Sequence, residues 1–268
     1  MSATLRLGIL LVVLGCLYLF LAQPYWFPAG VSAQSALIDH QFKVAFWIIG
    51  AMFVAGHLVL GYVLAKEPQG NGKPSSGSWR LEVTWTLAIT AIFFWLNISG
   101  DRLWSKAMTS EQAGQMQLEV TGAQFQWYFR YTGPDGIFGR IDAQKFARAD
   151  EGNPLGIDPG DPAGRDDFVS TVMVVPVGHV VQLHLRAQDV IHSLFIPAMR
   201  FKQDTVPGME IHSHFTPTQT GVYEIACAEL CGIGHYRMRA TVRVVSEEEF
   251  QKWLKAHEKA SAEQIVIH

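Results

Sequence analysis

Cys227-Ala228-Glu229-Leu230-Cys231-Gly232-Ile233-Gly234-His235-Tyr236-Arg237-Met238 gathers two thiols, an imidazole and a thioether in one short stretch. That is a soft-metal donor set. A second imidazole, His192, stands upstream in Asp189-Val190-Ile191-His192-Ser193, just before the apolar run Leu194-Phe195-Ile196-Pro197. Thiolate, imidazole and thioether together favour copper over hard cations, because soft sulfur suits Cu(I) and imidazole also holds Cu(II). A mononuclear blue-copper site uses a single Cys, whereas the second Cys here offers two thiolates able to bridge two metals. A disulfide or redox pair would require neither His235 nor Met238. Tetrahedral zinc is the stronger rival, since it accepts two Cys and two His. Met238 weighs against it, thioether being a poor zinc ligand, although a Met taken alone is more often core filler.

Outward from this loop the chain reads as short alternating segments: Gln117 to Thr121, Gln124 to Tyr131, Thr171 to Val175, Val180 to Leu185, Glu210 to Phe215, Gly221 to Ala226 and Arg239 to Val245. Turn signals such as Gly133-Pro134-Asp135-Gly136, Pro176-Val177-Gly178 and Pro217-Thr218-Gln219-Thr220-Gly221 separate them. Short strands so punctuated predict an all-β sandwich or barrel over 116–246. The stretch 133–168 is rich in Gly, Asp and Pro and exceeds an ordinary hairpin loop, which suggests a surface elaboration that meets another subunit or partner. Glu247 to His257 predicts an amphipathic helix, with 247–268 as C-terminal helix and tail.

The first 115 residues have a different texture and read as a membrane anchor. Val44 to Leu64 and Val83 to Ile98 are apolar runs, predicting spans near 44–64 and 82–101, since crossing the hydrocarbon core takes about 20 apolar residues. Leu7 to Ala22 predicts a further span near 5–23. Arg6 before that run and Val31-Ser32-Ala33 after it also suit a signal peptide. The long apolar core and the belt Tyr25-Trp26-Phe27 favour a retained helix. Gly15-Cys16 faintly suggests a lipoprotein site, but the apolar run continues past it. Lys66, Lys73 and Arg80 fall in or beside the connector between the second and third runs, so the positive-inside rule puts that loop in the cytoplasm and the chain after Asp101 outside. The net charge of −3 argues against a nucleic-acid partner, which normally meets a basic patch.

Cys227-x-Glu229-x-Cys231-x-x-x-His235-x-x-Met238, preceded by Asp189-Val190-Ile191-His192-Ser193, resembles subunit II of the haem-copper cytochrome c oxidases. The resemblance implies N-terminal transmembrane helices followed by a cupredoxin-like Greek-key domain that holds dinuclear copper, the CuA centre. Cys227 and Cys231 would bridge the coppers and His192 and His235 would bind one each. Met238 and the backbone carbonyl of Glu229 would be weak outer ligands, and the Glu229 side chain would reach a magnesium ion shared with subunit I. The family's carboxylate at the mouth of a proton path matches Glu82, three residues before Trp85-Thr86, although a Glu at a helix start is otherwise a routine dipole partner. Phe125 stands where the family usually has the tryptophan through which cytochrome c delivers electrons, and Phe125 with Trp127 is the electron entry that the resemblance implies.

By the same resemblance the chain accepts electrons from cytochrome c or a membrane donor complex. It passes them to subunit I, the haem-copper catalytic subunit of a proton-pumping oxidase that also has a subunit III. Its place is a bacterial-type inner membrane, multi-pass, with the copper domain on the periplasmic side. Without Cys-x-x-Cys-His the chain offers no attachment for c-type haem, so haem is expected only in partner subunits. Quinol-oxidase counterparts lack the copper ligands, and nitrous oxide reductase needs a further propeller domain. The alternative from another class is a membrane-anchored copper-delivery or copper-storage protein. Asp204, in Lys202-Gln203-Asp204-Thr205-Val206-Pro207-Gly208, reads as a polar interface residue, and His57 as a neutral imidazole bonded to a neighbouring helix.

Overall fold

A computed structural model describes residues 3–22, 25–26, 28–66, 77–108, 116–146, 152–158 and 160–266. Lys73 of the connector and parts of the long insertion lie outside them, as do the side chains of Arg6 and Lys66. The chain divides into two compact units, Met1–Pro28 with Leu37–Ala107, and Ala29–Ala36 with Met108–His268.

The first unit is helical. Helix α1 spans Ala3–Ala22, α2 Ala33–Lys66 and α3 Trp79–Met108. The stretches Ala33–Leu64 and Trp79–Ala107 are long and apolar enough to cross a membrane, and Leu7–Ala22 is apolar but shorter. α2 begins eleven residues ahead of the apolar run that predicted it (44 against 33). The cause is local. Ser32 and Ser35 cap each other, the Ser35 N–H donating to Ser32 Oγ at 3.0 Å and the Ser32 N–H to Ser35 Oγ at 3.1 Å, which satisfies amides that no helical carbonyl reaches. Gly50 leaves the notch on α2 that the Phe20 ring of α1 occupies, and Gly61 lies against Ile9, so the two helices run antiparallel. Gln41 Nε2 donates to Ser99 Oγ at 2.8 Å and joins α2 to α3. His57 bonds the Phe53 carbonyl of its own helix at 2.8 Å rather than a neighbouring helix, as an i→i−4 bond leaves the imidazole no need of one.

The second unit is a two-sheet sandwich of the cupredoxin kind. The strands are β1 (Met116–Ala123), β2 (Gln126–Tyr131), β3 (Phe168–Ser170), β4 (Met173–Pro176), β5 (Val181–Ala187), β6 (His192–Ile196), β7 (Phe201–Thr205), β8 (Ile211–Phe215), β9 (Gly221–Cys227) and β10 (Arg239–Val245). One sheet has the order β3-β2-β1-β5-β8 and the other β4-β10-β9-β6-β7. β1 with β5 and β4 with β10 are parallel, and the other pairs are antiparallel. Alternation sends Leu118, Val120, Trp127, Phe129, Leu183 and Leu185 inward from the first sheet, against Leu194, Ile196, Ile225 and Val242 of the second. The Tyr131 hydroxyl ties the sheets together, accepting from Val174 N–H at 2.6 Å and donating to Val174 O at 3.1 Å. Burial holds its pKa well above the ordinary value.

Helix α4 runs Glu247–Val266, longer than predicted, and starts at a capping box in which Ser246 Oγ accepts from the Glu249 N–H at 3.3 Å. Phe250 and Trp253 turn inward, and Trp253 meets Tyr131 edge-on at 4.8 Å. The insertion folds back over the first sheet. Arg130, with 1% of its side chain exposed, lies beneath it and bonds Asp167 through Nε at 3.0 Å and through Nη2, with Nη1 3.4 Å from Glu119. Burial raises the pKa of both carboxyls, against the opposing pull of Arg130.

Candidate metal centre

Three strand ends and one loop assemble the donors. His192 opens β6, Cys227 closes β9, and Met238 directly precedes β10, while Glu229, Cys231 and His235 lie on the β9–β10 loop. The register places Leu194 opposite Cys227, which carries His192 to the thiolate loop. Backbone bonds pin the loop ends: the Cys227 N–H donates to Met238 O at 3.1 Å and the Ala228 N–H to Ser193 O at 3.0 Å.

The sulfurs of Cys227 and Cys231 are 3.9 Å apart, too far for a disulfide, whose S–S length is about 2.05 Å. Cys227 Sγ lies 3.9 Å from His192 Nδ1, and Cys231 Sγ 3.6 Å from His235 Nδ1. Met238 Sδ is 3.7 Å from Cys231 Sγ, and the Glu229 carbonyl 3.2 Å from Cys227 Sγ. With metal–sulfur bonds of about 2.3 Å, donors around one ion sit roughly 3.8 Å apart in a tetrahedral arrangement, so this spacing suits bound metal. Each thiol has its own imidazole beside it. His192, Cys227, Cys231 and Met238 are buried, His235 is half-buried, and the Glu229 side chain is exposed. Burial, and then the neighbouring Cys227, push the Cys231 thiol up to about 11, so a bound cation is what would make both thiolates stable together.

Residues that the sequence reading left out of the site hold its donors in place. Asp189 Oδ1 lies 2.8 Å from His192 Nε2, which leaves Nδ1 facing the sulfur. Burial raises the Asp189 pKa, but bonds from the Gln124 N–H, His192 and the Val190 N–H outweigh it and hold the carboxyl below its ordinary range. Gly122 is also required, because a Cβ there would lie 2.9 Å from His192 Cδ2 and 3.1 Å from Trp127 Cζ3. Gln124 Nε2 donates to the Cys231 carbonyl. The Asp189-x-x-His192 spacing and the Gly122 next to an aromatic strand were the only signals available.

The Phe125 ring is half-buried and lies against the loop, filling the space beside Gly232 and Gly234. Trp127 is fully buried in the core, its ring edge-on to His192 at 6.0 Å between centroids. Its Nε1–H finds no partner among the described residues. Asp204 faces Ser193 across β6–β7 and accepts from its hydroxyl at 2.7 Å, while Lys202 Nζ lies 2.9 Å away. Glu82 is exposed in the first turn of α3, the position a helix dipole favours for a carboxylate.

A cupredoxin sandwich with two unbridged thiols, Cys227 at the end of β9 and Cys231 on the β9–β10 loop, each beside its own imidazole, defines a class of domain with a soft-metal donor set of the kind copper takes. Residues 116–245 match the family described as cytochrome c oxidase subunit II, periplasmic domain. The alternative cytochrome c oxidase subunit 2 of Bradyrhizobium diazoefficiens is 32% identical over 256 residues, covering 92% of this chain and 89% of the relative. Cytochrome c oxidase subunit 2 of Thermostichus vulcanus is 29% identical over 265 residues, covering 86% of this chain and 78% of that one. A crystal structure of the periplasmic domain of subunit II from Bradyrhizobium japonicum shares 30% identity, covering 57% of this chain and 99% of that chain at a TM-score of 0.42. This chain belongs to the cytochrome c oxidase subunit II family, and so is a subunit of a haem-copper terminal oxidase that associates with other oxidase subunits.

Proposed function

We propose that this chain is the electron-entry subunit of its oxidase, accepting electrons from cytochrome c or a membrane donor complex at a dinuclear CuA centre and passing them to the haem-copper catalytic subunit, which reduces oxygen and pumps protons. The observation that carries this is the pair of thiols 3.9 Å apart, each with its own imidazole. Bound there, two coppers bridged by two thiolates store one electron with little change in bond length. Cys227, Cys231, His192 and His235 would hold the coppers, with Met238 and the Glu229 carbonyl as weaker donors. The exposed Glu229 carboxylate would be available to a magnesium ion shared with subunit I, and haem would belong to the partner subunits. The buried ligands weigh against copper delivery or storage, because a metal handed on needs ligands a recipient can reach.

Phe125 provides the electron-entry contact and buried Trp127 supports His192 from behind. Exposed Leu230, Ile233 and Tyr236 give the loop an apolar rim of the kind a partner covers. Among the described acids that could steer a basic donor, Glu224 lies 3.2 Å from Arg239, and Asp158 and Asp161 pair with Arg140. Glu82 marks the mouth of a proton path into the partner subunit.

Two variants of the assembled oxidase separate these roles in one turnover assay. Phe125→Ala slows donor oxidation by roughly tenfold, the scale of truncating an aromatic anchor at an interface. Glu82→Gln slows proton-coupled reduction and leaves the copper spectrum unchanged. Wild-type donor rates in the first would remove Phe125 from the entry route, and normal turnover in the second would return Glu82 to a helix-start role.

The chain is multi-pass in a bacterial-type inner membrane, with α1 retained as a third span and the β-domain periplasmic. A protease-cleavable tag between Gly70 and Gly77 is then protected in intact cells, and one placed after Gly133 is cut. The reverse pattern overturns the orientation.

A further inference from the structure

A second donor cluster stands on the outer face of the β3-β2-β1-β5-β8 sheet and shares no residue with the copper loop. His184 on β5 and His212 on β8 are directly opposite in the antiparallel register. Opposed residues share one face with Cβ atoms about 5 Å apart, and these rings meet edge to face at 4.8 Å. Glu210, just before β8, places Oε1 2.7 Å from His184 Nδ1 and 3.7 Å from His212 Nε2. One donor atom from each residue lies within 4.8 Å of the other two. Around an ion bound at about 2.0–2.2 Å, tetrahedral ligand atoms are spaced roughly 3.3–3.6 Å, so small side-chain adjustments close the set.

The surroundings orient this triad. Gln117 Oε1 lies 2.7 Å from His184 Nε2 and accepts its N–H, which leaves the Nδ1 lone pair aimed at the Glu210 carboxylate. Arg186 binds the other Glu210 oxygen, leaving Oε1 for the imidazoles, and is itself held by Glu119 at 3.1 Å. Arg130 is tied to Glu119 and Asp167, and Arg186 to Glu119 and Glu210, so both guanidiniums are engaged by carboxylates. Exposure of the ligand side chains rises from 20% at His184 through 32% at Glu210 to 65% at His212, which opens one side to water and to an arriving ion.

We infer that His184, Glu210 and His212 form a binding site for a borderline divalent cation of the zinc class, completed by water. Two imidazoles and one carboxylate are a ligand set that zinc accepts with a position left open. The site is independent of the copper assignment. The test uses the assembled, copper-loaded oxidase, equilibrated with Zn2+ and dialysed, with metal content and zinc X-ray absorption measured beside the copper spectrum. Wild type retains one more zinc per complex than His212→Ala, its absorption shows two imidazoles, and the copper spectrum is unchanged. Titrated zinc binds His212→Ala at least tenfold more weakly, whereas His179→Ala, an exposed imidazole elsewhere, binds like wild type. Since His212 is largely exposed, its loss spares the fold. Equal zinc retention in wild type and His212→Ala overturns the site and leaves His184 and Glu210 as a hydrogen-bonded pair. Zinc uptake that displaces copper overturns it as well.

Discussion

Cys231→Ser is expected to abolish two-copper binding, leaving at most one copper per chain and no electron paramagnetic resonance signal from an unpaired electron shared between metals. Cys231 Sγ is the hub of the donor set, 3.9 Å from Cys227 Sγ, 3.6 Å from His235 Nδ1 and 3.7 Å from Met238 Sδ. Serine keeps the volume but replaces a soft bridging donor with a hard hydroxyl, so the two halves of the site lose their shared atom. Met238→Leu makes the informative contrast, because a weak axial thioether tunes potential more than it holds metal. That variant should keep both coppers and shift the reduction potential. A Cys231→Ser protein that retained two coppers and the shared-electron signal would end the dinuclear reading, as would zinc alone in the wild type.

Arg130→Met should destabilise the β-domain by about 3–5 kcal/mol at neutral pH, the scale for removing one partner of a buried ion pair. Its guanidinium is the counter-charge for Glu119 and Asp167, whose side chains are 3% and 0% exposed. The variant leaves both carboxylates buried without it. The pH dependence follows from the direction of their shifts. Burial already raises both pKa values, and losing Arg130 raises them further. An acid with a raised folded pKa binds its proton more tightly when folded, so its penalty is absent below the unfolded value near 4. The penalty grows as pH rises toward the folded value. The deficit of Arg130→Met relative to wild type should therefore be small near pH 4 and full at neutral pH. Thermal unfolding of the full chain, followed by near-ultraviolet circular dichroism across that range, measures it. A deficit independent of pH would mean the loss is one of packing rather than charge.

Much of this molecule was legible in local sequence. The donor loop, the alternating strands around it, the apolar helices and the amphipathic helix after Ser246 all depend on residues near one another in the chain, where spacing and side-chain chemistry are read directly. The strands missed from sequence were β3, β6 and β7, two of them carrying polar groups inward. His192 and Ser193 are buried only because Asp189 and Asp204 satisfy them, and hydrophobic alternation does not register such pairs. Phe125 and Trp127 read alike as an aromatic cluster. Yet Phe125 precedes the first residue of β2 and lies on the loop, whereas Trp127 falls on the inward phase of the strand.

By itself, then, the sequence determined the chemistry: which metal class the loop prefers, how many thiolates it supplies, and that apolar helices precede a β-domain. The distances come from long-range pairing. β6–β9 pairing brings His192 to Cys227 across 35 residues, and β5–β8 register sets His184 against His212. The insertion closes over Arg130 of its own sheet, a contact that no local pattern announces. Donor identity is a property of single side chains, whereas donor geometry depends on strand register and burial, which long-range packing sets.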